Sequence, residues 1–315
     1  MNYEKLITKH VQKLVPYQSA RRIGGHGHNF LNANESPKSE GYFLNSSSLN
    51  RYPECQPEEL VERYADYAGV HKTQVIATRG SDEAIGLIVR TFCEPGVEGI
   101  LIAPPTYGMY EVAANTNDAL VAVAERNDDF SLDAQHLIDG VKNASFTVKA
   151  VFIDSPANPL GIVFPKDELI KLPDTLIVLD EAYIEFANKE DDLTYLVNEY
   201  ENLIVTRTLS KAFALAGIRC GFAIANENII KAMLKVIDPY PICDPVAQIA
   251  VQALSDHGVE MTKERALKCN ERREKLEADL KALPFVKKIF ASFGNFLLVE
   301  FTDGPAVFNA MAQKG

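Results

Sequence analysis

Thr206-Arg207-Thr208-Leu209-Ser210-Lys211-Ala212-Phe213-Ala214-Leu215-Ala216-Gly217-Ile218-Arg219-Cys220-Gly221 sets one lysine among hydroxyls and small apolar residues, with an arginine following it. Upstream, Leu176-Ile177-Val178-Leu179 runs straight into Asp180-Glu181-Ala182-Tyr183. Each stretch is a short apolar run that ends in polar groups. The pattern recurs at Val75–Thr78, Gly99–Ile102, Ala150–Ile153, Leu203–Thr206 and Gly221–Ile224, with helical patterns such as Glu58–Tyr67 and Ser81–Phe92 between. Short apolar strands alternating with helices mark a parallel sheet covered on both faces. The chain is therefore expected to be α/β with a mostly parallel central sheet. Ligands of such sheets bind beyond the carboxyl ends of the strands. Asp180, Ser155-Pro156-Ala157-Asn158-Pro159 and Thr208-Leu209-Ser210-Lys211 all fall there.

Outward from this centre the texture changes after Pro239-Tyr240-Pro241. An apolar helix over 244–256, a long charged helix over 259–283, strands at Val286–Phe290 and Phe296–Phe301, and a helix from Pro305 predict a smaller α+β domain. The expected division is an N-terminal arm over 1–28, a large domain over 29–243 with a hinge near Pro239–Pro245, and a small domain over 244–315 that looks incomplete. In the arm, Leu6, Ile7, Val11, Leu14 and Val15 recur at helical spacing until Pro16, so an amphipathic helix is expected there. Gly24-Gly25-His26-Gly27-His28 reads as a flexible turn; its two histidines lack a third ligand, and no metal is expected.

A chain of 315 residues, 47% hydrophobic and 24% charged, can bury a sizeable core. A formal charge of −11 argues against nucleic acid or an anionic membrane as partner, but not against a small anion held by a few local cations. The five scattered cysteines form no metal spacing and read as free thiols of a reducing compartment. The first ten residues carry no apolar signal-peptide core, and no apolar run approaches the ~20 residues of a membrane span, so a cytoplasmic protein is expected.

Lys211 is flanked by Ser210 and by Ala212-Phe213-Ala214-Leu215-Ala216, which suits a partly buried amine. Desolvation lowers an amine's pKa, and a neutral amine attacks an aldehyde. Standing alone it could be a surface lysine. Asp180, at a strand end, could cap a helix; buried, it could keep a pyridine nitrogen protonated. Tyr183 and the Asn158 amide could reach the ring's 3-oxygen; singly, they would be a core tyrosine and a turn residue. Gly80-Ser81-Asp82 opens a helix whose N-terminal amides suit a phosphate, although an ordinary N-cap is the plainer alternative. Thr208, Ser210 and Arg219 could complete the phosphate contacts. Pro104-Pro105-Thr106-Tyr107-Gly108-Met109-Tyr110 follows a strand and offers an aromatic to lie on a ring. Together, in this order, these groups point to pyridoxal 5′-phosphate (PLP).

The same residues carry a family resemblance. Pro16-Tyr17-Gln18-Ser19-Ala20-Arg21-Arg22, Leu31-Asn32-Ala33-Asn34-Glu35, Asn50-Arg51-Tyr52-Pro53, Pro105 to Tyr110, Leu179 to Tyr183 and the Lys211 segment resemble fold type I PLP-dependent aminotransferases. Within these, the first four favour the histidinol-phosphate aminotransferase branch of histidine biosynthesis. The resemblance implies Lys211 as covalent anchor and proton shuttle, Asp180 on the pyridine nitrogen, Tyr183 and Asn158 on the 3-oxygen, and Tyr107 stacked on the ring. It implies Ser81, Asp82, Thr208, Ser210 and Arg219 around the phosphate, and Tyr17 and Asn34 on the substrate side. Tyr52 would reach the neighbouring subunit's cofactor, which makes the enzyme a homodimer with shared sites. Here the usual Asn-Asn-Pro-Thr-Gly turn reads Ala157-Asn158-Pro159-Leu160-Gly161, which keeps the cofactor-side asparagine. The family also carries substrate-binding arginines in a stretch that would lie past Gly315, so a C-terminal truncation is expected. Same-fold alternatives are an aminotransferase of aromatic amino acids and a decarboxylase of a phosphorylated amino acid. A non-catalytic remnant is the alternative from another class.

Overall fold

The computed structural model describes residues 3–18, 29–172 and 175–314. Its framework alternates as the apolar runs require. Helix α1 (Glu58–Ala68) leads to β1 (Val75–Thr78) and α2 (Ser81–Phe92), then to β2 (Glu98–Ile102), α3 (Met109–Thr116), β3 (Leu120–Val123) and α4 (Ala134–Asn143). Next come β4 (Thr147–Asp154), the short α5 (Lys166–Leu169), β5 (Leu176–Asp180), β6 (Leu203–Thr208), β7 (Gly221–Ala225) and α6 (Glu227–Met233). These seven strands form one sheet in the order β1-β7-β6-β5-β4-β2-β3.

Four strand pairings are parallel, and the two made by β7 are antiparallel. The sheet is thus mostly parallel, with one reversed strand that the apolar pattern did not foretell. Successive strand residues face opposite sides, and each side has its own core. Leu60, Tyr64, Leu179, Val205 and Phe222 pack on the α1 side; Ile85, Ile88, Tyr110, Val178 and Ile204 pack on the α2 side. Tyr64 stacks on Phe222 with ring centroids 3.5 Å apart. Fully burying such a side chain contributes about 1.5–3 kcal/mol.

Beyond the sheet, α7 (Asp244–Ala253) precedes the 26-residue α8 (Asp256–Lys281), whose Ser255 N-cap accepts a hydrogen bond from Gly258 N. The hairpin partners β8 (Val286–Ile289) and β9 (Val299–Phe301) pair antiparallel in a separate two-stranded sheet, followed by α9 (Gly304–Lys314). The second expected strand is shorter than its apolar run, because the stretch from Ser292 turns toward the main sheet, where Phe293 N donates to Gly161 O at 2.7 Å.

The N-terminal arm departs from expectation. It forms two 3₁₀ turns, Tyr3–Leu6 and Val11–Lys13, rather than one helix, and Leu6 and Val15 are 75% and 82% exposed. A short helix is marginal in water unless its apolar face is covered, and this chain offers that stripe little to cover. The Gly24–His28 turn and Ser19 to Arg22 lie outside the described residues. Among the described residues no helix is long and apolar enough to cross a membrane, and no group of side chains has metal-ligating geometry.

Candidate active site

The carboxyl ends of β4, β5 and β6 and the segments that follow β1 and β2 border one cavity of about 860 Å³. Lys211 lies just past β6, and its Nζ donates to Ala33 O at 2.7 Å and sits 5.4 Å from the centre of the Tyr183 ring. Burial lowers its pKa, against the opposing pull of Glu35 and Asp82. Asp180 ends β5 and is only 3% exposed. Its Oδ2 accepts from Tyr110 Oη at 2.9 Å and its Oδ1 from Ala182 N at 3.2 Å. Burial pushes this carboxyl up to about 7, and Asp154 adds to the push while Tyr110 resists it.

On the near side, Tyr183 Oη accepts from Asn34 Nδ2 at 3.0 Å and from Asn158 Nδ2 at 3.3 Å. Burial raises its pKa to about 12 even though both amides favour the phenolate. The turn carrying Asn158 is fixed from beneath: Asn158 N donates to Asp154 Oδ2 at 2.8 Å, and Thr106 Oγ1 donates to Asp154 Oδ1 at 2.9 Å.

At the far end, Arg219 takes the left-handed conformation (φ 54°) and turns its guanidinium back toward β6 and α2. It donates to Ser210 Oγ at 3.3 Å and to Asp82 Oδ2 at 3.0 Å. Thr208 Oγ1 donates to Ser210 Oγ at 2.8 Å, and Tyr107 Oη donates to the other Asp82 oxygen at 2.9 Å. Gly80, just before α2, has φ 78°, and a Cβ there would lie 2.5 Å from Arg219 Nη2. Only glycine allows the helix N-terminus and the guanidinium to approach so closely.

The structure thus brings Tyr17, Asn34, Ser81, Asp82, Tyr107, Asn158, Asp180, Tyr183, Thr208, Ser210, Lys211 and Arg219 to one cavity. Tyr52 stands apart from it, 82% exposed and stacked on Tyr240 at 4.6 Å. Sequence reasoning missed Tyr110 and Asp154. Asp154 carries a visible signal, since Val151-Phe152-Ile153-Asp154 repeats the apolar-run-then-aspartate of β5, and the two aspartates are register partners. Tyr110 is one helical turn past Tyr107, on a helix of which the motif quoted only the start.

These residues fit PLP on structural grounds. Asp180 is a buried carboxylate whose hydrogen bonds come from a neutral hydroxyl and an amide, so a protonated pyridine would supply the cation it lacks. The bare Gly80 and the N-terminal Ser81 and Asp82 amides of α2 form an anion cradle beside Arg219. Lys211, with its lowered pKa, supplies the amine.

Comparison with known proteins agrees with this geometry. The family model for aminotransferases of class I and II matches residues 28–314. The histidinol-phosphate aminotransferase of Aeromonas salmonicida is 49% identical over 100% of this chain and 89% of its own length. That of Vibrio campbellii is 46% identical over 99% of this chain and 90% of its own length. Among solved structures, the Sinorhizobium meliloti histidinol-phosphate aminotransferase, in complex with pyridoxal-5′-phosphate, superposes with a TM-score of 0.80 at 23% identity, covering 97% of this chain and 85% of that one. The Thermus thermophilus aspartate aminotransferase with maleate gives 0.73 at 22% identity, over 93% and 84% of the two chains. With the family model spanning nearly the whole chain and relatives so similar across its length, this chain belongs to the class I and II aminotransferases, on their histidinol-phosphate aminotransferase branch.

Proposed function

We propose that the chain is a PLP-dependent aminotransferase of histidine biosynthesis. It exchanges an amino group between histidinol phosphate with 2-oxoglutarate and imidazole acetol phosphate with glutamate. The observation that carries this is the meeting of the Lys211 amine, the buried Asp180 carboxylate and the Arg219 guanidinium in one cavity, in a chain 49% identical to a histidinol-phosphate aminotransferase.

Bound PLP supplies an aldehyde and an electron-withdrawing ring that stabilises negative charge at the substrate's Cα. Burial lowers the pKa of Lys211, which favours the neutral amine, and its Nζ would hold the aldehyde in the resting enzyme. The same nitrogen, once free, would take the proton from the substrate's Cα and pass it on to the cofactor. Asp180 would keep a proton on the ring nitrogen by charge pairing, so that the ring can accept the negative charge that develops in the transition state. Tyr183 and Asn158 orient the ring through its 3-oxygen, and Tyr107 covers its face. Arg219, Ser210, Thr208 and the Ser81–Asp82 amides grip the phosphate. Tyr17 and Asn34 face the substrate. Tyr52, exposed in a single chain, serves a second subunit's site in a cytoplasmic homodimer. The chain divides functionally into an arm over 1–28, a PLP-binding domain over 29–243 and a smaller domain over 244–315.

The test is an absorbance spectrum of the purified chain with PLP, before and after histidinol phosphate. A visible band that converts to the pyridoxamine phosphate form on addition supports cofactor and substrate together. Conversion by phenylalanine alone, or carbon dioxide release from threonine phosphate, would move the chain to the aromatic or decarboxylase alternative.

A further inference from the structure

Directly behind the candidate site lies a cluster of buried charge that the proposed chemistry leaves unused. Strand residues alternate sides. Asp180 and Thr208 face the cavity, whereas their chain neighbours Glu181 and Arg207 face the α1 side. Both are almost wholly inaccessible, at 0% and 2% exposure. Arg207 Nε donates to Glu181 Oε2 at 2.8 Å, and Arg207 Nη2 reaches the same oxygen at 2.7 Å. The Nη2 group also donates to Asp192 Oδ1 at 2.7 Å and to Thr194 Oγ1 at 2.5 Å. Glu181 is held further by Leu193 N and Thr194 Oγ1, each at 3.0 Å. Glu185 approaches Arg207 Nη1 at 3.6 Å and accepts from Tyr67 Oη at 3.3 Å, while its Oε2 is buried without a partner.

One guanidinium therefore answers three carboxylates. An arrangement this expensive in desolvation is weak evidence for stability, because an apolar cluster would serve as well or better. Its placement gives a better account of it. Glu181 extends β5 just past Asp180, and Arg207 sits one residue before Thr208 on β6. The Glu181 N to Thr206 O bond, at 2.9 Å, is the last main-chain tie between these strand ends. Beyond it the two chains part, one toward Tyr183 and the other toward Ser210 and Lys211. The Arg207–Glu181 fork spans the point of parting.

We propose that Arg207 and Glu181 are positioning residues for the reaction. By clipping the ends of β5 and β6 together from behind, they fix the separation between Asp180 and the Thr208–Ser210–Lys211 segment. This rests on the functional reading above, since it matters only if one bound molecule is gripped by both segments.

The test separates positioning from mere stability. Arg207→Met leaves Glu181 and Glu185 as uncompensated buried charges and should melt lower than the parent. The triple variant Arg207→Met, Glu181→Gln, Glu185→Gln removes both charges while keeping acceptors for Leu193 N and Tyr67 Oη, and should regain most of the lost melting temperature. Positioning predicts that this restored protein still binds PLP roughly tenfold more weakly in a fluorescence titration of the cofactor-free form. It also predicts kcat about ten- to a hundredfold lower, with KM for histidinol phosphate within about twofold of the parent. A restored triple variant with parental PLP affinity and kcat would overturn the proposal. Should neither variant fold, Arg207→Lys decides, because it keeps the charge but loses the paired Nε and Nη2 donors; parental PLP affinity and kcat in that variant would equally overturn it. Failure of the parent chain to take up PLP would instead sink the functional reading, and this inference with it.

Discussion

Burial acts in opposite senses on the two groups that face each other across the cavity. It takes the Lys211 ammonium toward the neutral amine, which is the reactive form, and it pushes the Asp180 carboxyl up to about 7. The second effect has a measurable sign. In the cofactor-free protein the folded state holds the Asp180 proton more tightly than the unfolded chain, whose carboxyl titrates near ~4. Its contribution to stability is thus fully present below about pH 4 and is lost as pH rises through 7. Cofactor-free Asp180→Asn is therefore expected to melt higher than the cofactor-free parent at pH 8, with the gap closing toward pH 5. Thermal melts at the two pH values check this; a pH-independent gap would remove the buried-ionisation account. With PLP bound the order of merit reverses. Asp180→Ala should lower kcat/KM by several orders of magnitude, since the charge that keeps the ring protonated is gone, and a loss below tenfold in steady-state kinetics would contradict that role. Lys211→Ala should abolish turnover yet still hold PLP noncovalently, as seen by retention of the cofactor on desalting and loss of the parent's visible band.

At the scale of elements, the reversed strand β7 makes a tight joint with α2 and β6. A Cβ on Gly221 would lie 2.5 Å from Ser81 N and 2.8 Å from Arg207 O. Gly221→Ala must push the start of α2 away from β6, so a stability loss of about 1–3 kcal/mol is expected. A weaker hold on PLP should accompany it, measured by denaturation and by cofactor titration. This joint also marks where legibility ended. The buried strands were readable because both faces are covered and their residues run Val/Ile/Leu-rich without a break, and Val75–Thr78 and Ser81–Phe92 match their expected bounds. Strand direction was not readable, because such a run looks the same whichever way it points. Direction depends on the connection: the residues between β6 and β7 build the lysine loop and contain no crossover helix, so the chain returns antiparallel. Most of the residues that meet at the cavity were legible for a related reason, being polar groups at the ends of apolar runs. The hydroxyl of Tyr110 and the main-chain oxygen of Ala33 were not, since the first looks like core and the second has no side-chain signature. The arm was misjudged because periodicity reports an apolar face and says nothing of what covers it.

For the whole molecule, the second copy of the chain proposed above would cover the exposed Tyr52–Tyr240 stack and the uncovered Leu6 and Val15. Sedimentation should then give a dimer. Mixing two impaired variants, Tyr52→Ala and Lys211→Ala, after unfolding and refolding together should restore activity toward about a quarter of the parent's, because only the hybrid assembles one site from two intact contributions. No recovery above the sum of the separate variants would count against shared sites. The loop from Thr208 to Gly221 carries a last consequence. Its ends are register partners, and it is laced internally by Leu209 N to Cys220 O at 3.0 Å, Ala214 N to Lys211 O at 3.0 Å and Leu215 N to Leu209 O at 3.1 Å. In the proposed roles, Lys211 on the aldehyde and Arg219 on the phosphate would be the two jaws of one caliper, set by a single closed stretch of backbone. Such a gauge accepts a molecule of one length between aldehyde and phosphate, and an analogue lengthened by one methylene could satisfy either jaw but not both.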